Sequence, residues 1–281
     1  MFDHHLLQQH NYGLINPLQV EASLWQDVPH MPLVPRELAE QADQMPLLVA
    51  FDAMEAEARI SLLDYIIAQQ RSSKRPYFSA LIDSILPLAT LQHRLTERLI
   101  LFGPQGKAFF RYYDPRVFRH LHWVLRPIQL DYLLKGITQW SWCDAKGQWQ
   151  SLAGPEKCPM NILRLTPEQW LHLGGLGLLN QCLAGLNMMP TFDENNTQQV
   201  IQANEWLHAA KAQLSDPEDS CLYVEQRFRY GELLHQHPAM QERLQQAQAG
   251  QSYIQLCQPL DESTLQQYVT DMHQQRQRMM S

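Results

Sequence analysis

The sequence predicts an α+β fold: a mixed α/β N-terminal lobe with a small sheet flanked by helices, then a mostly α-helical C-terminal lobe. Three observations predict it. In the first half, apolar runs of strand length such as MPLLVAFD (45–52) alternate with stretches of helical period, the signature of sheet and helix layers. After GPEKCP (154–159) strand signals become sparse and capped helical stripes take over. With 281 residues, 45% hydrophobic and 18% charged, the chain is long enough for two cores and too apolar to be disordered. The expected boundary lies near residue 155, giving lobes 1–155 and 156–281, with no internal repeat.

NYGLINPLQV (11–20) opens as a short strand and breaks at Asn16-Pro17. MPLLVAFD follows, its unbroken apolar character fitting a strand covered on both faces, as in a parallel or mixed sheet. Glu57 to Gln70 is a helix with Ile60, Leu63 and Ile67 on its apolar side, and RPYFSALI (75–82) is another short strand. Leu88, Leu91, Leu95, Leu99 and Phe102 recur at helical steps, with GPQG (103–106) as the stop. KAFFRYYD is then a strand, and DPRVFRHLHWVL a helix that Asp114 caps and Pro115 opens. IQLDYLL (128–134) is helical, and ITQWSW and QWQSLA form a hairpin turning at Lys146-Gly147.

In the second lobe, Thr166-Pro167-Glu168 starts a helix over the apolar run 171–186. Val200, Ala203, Leu207, Ala210 and Leu214 form a near-heptad stripe. Ser215-Asp216-Pro217-Glu218 restarts a helix carrying Cys221, Val224 and Phe228, and Asp261 to about Gln277 is a final polar helix.

A net charge of −7 argues against a broad phosphate-binding face, so nucleic acid is not an expected partner. Arg71, Lys74 and Arg75 lie close together and are read as a solvated helix end. Five cysteines, none in a CxxC, point to inert thiols in a reducing cytoplasm. MFDHHLLQQH has neither the basic start nor the apolar core of a signal peptide. The run 171–186 carries four glycines and is shorter than the roughly 20 residues of a membrane span. No membrane association is expected, and no cofactor.

Candidate chemistry is thin. Asp52 and Asp114 each end a predicted strand, where two carboxylates are able to hold a divalent metal or divide acid and base roles. A metal-dependent phosphoester hydrolase using these two is therefore the alternative reading. Helix capping is the better account of Asp114, since proline follows it. His120 and His122, like His235 and His237, stand two apart and face different ways on a helix, which is poor ligand geometry. His4, His5 and His10 lie in the N-terminal stretch. GGLG (174–177) lacks the third glycine of a dinucleotide fingerprint, and neither a phosphate loop nor GxSxG is present. No catalytic or metal-binding residue is put forward.

Aromatics are dense from Phe109 to Trp149. FFRYYDPRVF (109–118) holds five aromatics, two arginines and one aspartate in ten residues. Strand alternation would put Phe109, Arg111 and Tyr113 on one face and Phe110 and Tyr112 on the other. Arg111 then needs a carboxylate, Asp114 or Asp52, or a ring to stack on. The hairpin tryptophans Trp140, Trp142 and Trp149 are candidate docking anchors, with core packing as the plainer reading.

These residues carry a family likeness. GKAFFRYYDPRVFRHLHWVLRPIQLDYLL resembles the signature segment of the type VI secretion effector adaptors, the Tap/TEC chaperone family. The matching positions are Phe110, Arg111, Tyr112, Tyr113, Asp114, Pro115 and Arg116, then Pro127, Gln129 and Leu130. NYGLINPLQ resembles the family's opening strand, with Asn16 where that strand usually ends in an aspartate, and PLLVAFD resembles its second strand. The likeness spans roughly residues 11–142. It implies a non-enzymatic, cytoplasmic adaptor that binds a particular toxic effector and helps load it onto the VgrG spike protein. The signature positions Arg111, Tyr113, Asp114 and Arg116, with Trp140 and Trp142, are the expected partner-binding or bracing residues.

Overall fold

A computed structural model describes residues 4–72, 76–104 and 106–280. The fold is α+β, and the chain divides into two compact units, Met1–Leu173 and Gly174–Ser281.

In the first unit the strands are β1 (Tyr12–Ile15), β2 (Met31–Pro32), β3 (Leu47–Ala50), β4 (Ala80–Asp83), β5 (Ile100–Gly103), β6 (Gly106–Phe109), β7 (Gln139–Cys143) and β8 (Trp149–Ala153). Six of them form one sheet in the order β2-β3-β1-β4-β7-β8, and β5 and β6 pair with each other. All the pairings are antiparallel, which corrects the parallel or mixed sheet expected from MPLLVAFD. An apolar run reports burial of both strand faces and carries no information about the direction of its neighbours.

Both faces are indeed covered. Tyr12 lies opposite Ala50 and Ile82, and Ile82 opposite Trp140, so one face collects Tyr12, Leu14, Leu48, Ile82 and Trp140 against Tyr112, Tyr113 and Phe118. The alternate residues Ile15, Leu47, Val49 and Leu81 meet Leu62, Leu63 and Ile66 of the following helix on the other face. That helix is α2 (Ala56–Ser72), preceded by the short α1 (His4–Gln8). Its buried stripe is shifted from the predicted one, since Ile60 is exposed. Lys74 and Arg75 of the basic cluster lie outside the described residues, as does the side chain of Arg71.

Three local expectations are corrected. The helix read from Leu88 to Phe102 is α3 (Leu88–Glu97) only, and Ile100 to Phe102 belong to strand β5. Gly103 and Gly106 face each other across a hairpin turn rather than ending a helix. The strand KAFFRYYD stops at Phe109, because Tyr112 N–H turns back to the Phe110 carbonyl and Asp114 N–H to that of Arg111. DPRVFRHLHWVL is two single turns, α4 (Pro115–Phe118) and α5 (Leu121–Val124), before α6 (Pro127–Leu134). The β7–β8 hairpin forms as read: Asp144 accepts from Lys146 and Gln148 N–H at 2.9 and 2.8 Å, and Gly147 takes φ +76°.

α7 (Pro167–Leu186) runs through the partition between units. The change of sequence character near residue 155 and the partition after Leu173 are therefore different boundaries. The stretch between them is tied into the first unit by side chains described below.

The second unit holds α8 (Thr197–Lys211), α9 (Pro217–Tyr230), α10 (Pro238–Gln248), α11 (Tyr253–Cys257) and α12 (Glu262–Met280). The stripe Val200, Ala203, Leu207, Ala210 and Leu214 is buried throughout. Asn196 caps α8, Asp216 caps α9 ahead of Pro217, and Asp261 accepts from Thr264 N–H at the start of α12. All five cysteines are free thiols, four of them buried. Among the described residues no helix is long and apolar enough to cross a membrane.

Candidate functional site

FRYYDPR forms the bend between β6 and α4, and the bend decides which of its side chains are buried. A strand would send Tyr112 and Tyr113 to opposite faces; the turn buries both completely. The Tyr112 hydroxyl donates to the Leu95 carbonyl at 2.9 Å, binding the bend to α3. Its ring lies 5.8 Å from that of Trp140. Burial pushes the Tyr113 phenol up to about 12. Phe118 stacks on Trp140 at 4.9 Å and touches Trp142 at the same separation.

Asp114 follows the tyrosines and is 3% exposed. It caps α4 as predicted, accepting from Arg116 N–H at 2.9 Å. The Arg116 guanidinium returns to the same carboxylate, Nε to Oδ1 at 3.0 Å and Nη2 to Oδ2 at 2.7 Å. Gln19 Nε2 approaches Oδ2 at 3.5 Å. Both oxygens are thus occupied by donors from a fork of fixed geometry. That hydrogen bonding holds the Arg116 pKa above its usual value. The arrangement fixes a helix start; it leaves the carboxylate committed to its own chain.

Asp52 is elsewhere. It sits in the turn after β3, 77% exposed, with Arg59 Nη1 at 3.8 Å. It lines a cleft of about 470 Å³ with Leu7, Phe51 and Leu63. Phe51 and Leu63 belong to the core on the sheet face opposite the one that receives Tyr113 and Phe118. The structure does not bring Asp52 and Asp114 together.

The other expected residues separate into buried and exposed. Trp140 is fully buried on β7, stacked on Phe118, as the core-packing reading has it. Trp142 and Trp149 are half-buried. Arg111 is exposed, and its partner is neither aspartate: its guanidinium lies over the Phe109 ring, 5.7 Å from the centroid. His120 is buried and His122 exposed, facing different ways as expected.

The structure adds Gln169, which the sequence reading missed, as the partner of the signature position Gln129. Gln129 and Gln169 are buried and exchange amide hydrogen bonds of 3.1 and 2.7 Å. Gln129 Oε1 also accepts from Arg126 N–H, and Gln169 Oε1 from Thr166 N–H. Their amide groups donate onward to the carbonyls of Arg164 and Val124 at 2.7 and 3.0 Å. This pair joins the starts of α6 and α7 and holds 164–169 within the first unit. Thr166-Pro-Glu-Gln169 is legible as a capping box; its partnership with Gln129, forty positions away, is not.

The signature segment is therefore an internal brace with one exposed corner, where Arg111 and Arg116 meet solvent. Comparison with known proteins gives one family match: a domain of unknown function (DUF4123), over residues 21–132. No curated protein and no solved structure matches the chain.

Proposed function

We propose that this chain is a non-enzymatic adaptor of type VI secretion, which binds a particular toxic effector in the cytoplasm and helps load it onto the VgrG spike. The observation that carries the reading is the position of the adaptor-like segment. FRYYDPR and its continuation through Pro127, Gln129 and Leu130 lie inside the 21–132 match. The geometry supports a scaffold: Tyr113, Asp114 and Trp140 brace the bend internally, while Arg111 and Arg116 stand at its accessible corner. In this reading the sheet unit carries the role common to such adaptors, and the helical unit helps select the cargo.

The test is reconstitution of the full chain with the VgrG and toxin proteins encoded beside it. A stable complex with the toxin, and increased toxin recovery on VgrG when the chain is present, is the expected result. Toxin that reaches VgrG equally well without the chain overturns the reading. Binding by Arg111→Ala and Arg116→Ala variants then tells whether the exposed corner is part of the contact.

A further inference from the structure

The hairpin β5–β6 carries a partly exposed face: Phe102 and Lys107 meet solvent, while Ile100 and Phe109 are half-buried beside the brace. Its register pairs Ile100 with Phe109 and Phe102 with Lys107, so these four side chains share one face, while Leu101 turns into the core. Phe102 is 67% exposed. Lys107 Nζ lies 5.5 Å from its ring centroid, and Arg111 lies over Phe109. Beside the hairpin tip, Phe102, Pro104, Ile162, Leu165 and Trp170 line an apolar cleft of about 360 Å³ together with Arg164. Ile162 is 63% exposed. Gly103 is what lets the hairpin close on Trp170, since a Cβ there would stand 2.6 Å from the indole.

The charges here oppose those of the whole chain. Net charge is −7, yet this face presents Arg111, Lys107 and Arg164. Lys107 is paired with Glu37 at 2.9 Å. Arg111 and Arg164 are exposed and have no carboxylate within 4.0 Å among the described residues. Each of β5 and β6 also has one edge with no strand beside it among the described residues, where an extended chain is able to hydrogen-bond. Exposed rings and arginines around a cleft are the composition of interface hot spots, and unpaired cations select an acidic partner.

From this we infer that the β5–β6 face, with the 162–165 stretch and Trp170, is a docking surface for an extended, acidic and apolar segment of a partner protein. An apolar side chain of that segment enters the cleft between Phe102 and Ile162, and flanking carboxylates meet Arg164 and Arg111. That the segment belongs to the cargo rests on the adaptor reading; the surface itself does not.

The experiment has two arms. Labelled full-length protein is applied to arrays of short synthetic peptides of three compositions: acidic with apolar residues, basic with the same apolar residues, and acidic without apolar residues. The expected result is capture by the first set about tenfold above the other two. A variant carrying Phe102→Ser, Arg111→Glu and Arg164→Glu, its melting curve unchanged, should fall to background. Milder Phe102→Ala and Arg164→Gln variants serve if the triple variant unfolds. Equal capture of the basic set, or undiminished capture by folded variants, overturns the surface. In the second arm the same variants are titrated with the co-encoded toxin. Array selection without toxin binding refutes the adaptor reading and leaves the surface standing. Toxin binding that the variants do not weaken refutes the surface and leaves the reading.

Discussion

Asp114 in the sheet unit and Asp219 in the helical unit do the same physical job by different routes. Each is a buried aspartate that holds the start of a helix. Asp114 caps the helix that begins at the next residue, and its other contacts come from Arg116 in that same turn and from Gln19. Asp219 lies inside α9 and reaches across to α11. It accepts from Tyr253 N–H at 2.8 Å, Ile254 N–H at 2.9 Å and the Ser252 hydroxyl at 3.2 Å. A local cap secures one turn. A distant cap secures the packing of two helices, so its loss exposes more than a frayed end.

The largest expected effect follows from that difference. Asp219→Ala leaves two N–H groups of α11 without their acceptor, each costing about 1–3 kcal/mol if it stays buried. A loss of roughly 2–5 kcal/mol by urea unfolding is expected, with faster amide exchange at Tyr253 and Ile254. Asp114→Ala should cost only about 0.5–2 kcal/mol, the range of an N-cap. Equal losses in the two variants would break the comparison.

Next in size is a pH effect confined to the helical unit. His235 is buried, with Nε2 3.1 Å from Gln226 Oε1, which also accepts from the Tyr253 hydroxyl at 2.7 Å. Its ring packs on Tyr223 at 4.1 Å. Burial, aided by the nearby Arg227 charge, pushes its pKa down to about 3. The folded form therefore holds the ring neutral where the unfolded chain would protonate it. Its contribution is intact above about pH 6.5 and is lost as pH falls from there toward 3. The slope is about 1.4 kcal/mol per pH unit. Urea unfolding between pH 7.5 and 5 should show it, and His235→Gln should flatten it. A slope that survives the substitution would assign the effect to other groups.

A smaller effect is expected at the glutamine pair. Gln129→Leu removes an acceptor from Arg126 N–H and a donor from the Arg164 carbonyl, for about 1–3 kcal/mol. Gln169→Leu should cost a similar amount. The double variant should cost less than the sum, because the two amides serve each other. Strict additivity would mean that they act independently.

What could be read in the sequence follows the same division between local and distant. Asp114-Pro115, Asp216-Pro217, the Lys146-Gly147 turn and the apolar stripe of α8 are local patterns, and the structure has them where they were expected. The errors came where one local pattern fits two states. Leu99 and Phe102 continue the period of α3, yet Ile100 to Gly103 pairs with Gly106 to Phe109 because the two glycines permit a hairpin. Alternation in FFRYY assumed a strand that the bend at Phe110 interrupts, so Tyr113 is buried and Arg111 is not. The Gln129–Gln169 and Asp219–α11 contacts join residues about 40 and 35 positions apart, and no periodicity reaches that far. Arg111 and Arg116 are exposed, which no pattern in FRYYDPR foretells, and the buried Trp140 is not distinguishable from an exposed tryptophan by sequence pattern alone.

The smallest effects separate the two arginines of FRYYDPR. Arg116 is 59% exposed, but it clasps a buried carboxylate through two guanidinium hydrogen bonds. Arg116→Ala removes both and keeps the cap to the backbone N–H, so solvent takes over one side of the Asp114 oxygens. Such a half-exposed pair is worth about 0.2–1 kcal/mol, and Arg116→Lys should recover only part of it, because an ammonium does not fork. Arg111 is exposed and lies over the half-buried Phe109 ring, and Arg111→Ala should fall within about 0.5 kcal/mol of the parent. Thermal and urea unfolding of the three variants place both residues on one scale. A partner affinity that drops for Arg111→Ala with no loss of stability marks Arg111 as a contact. An affinity that drops for Arg116→Ala and returns with Arg116→Lys in step with stability marks Arg116 as part of the brace. The reverse pattern would exchange the two roles and move the contact surface from the β6 end of the bend to its α4 end.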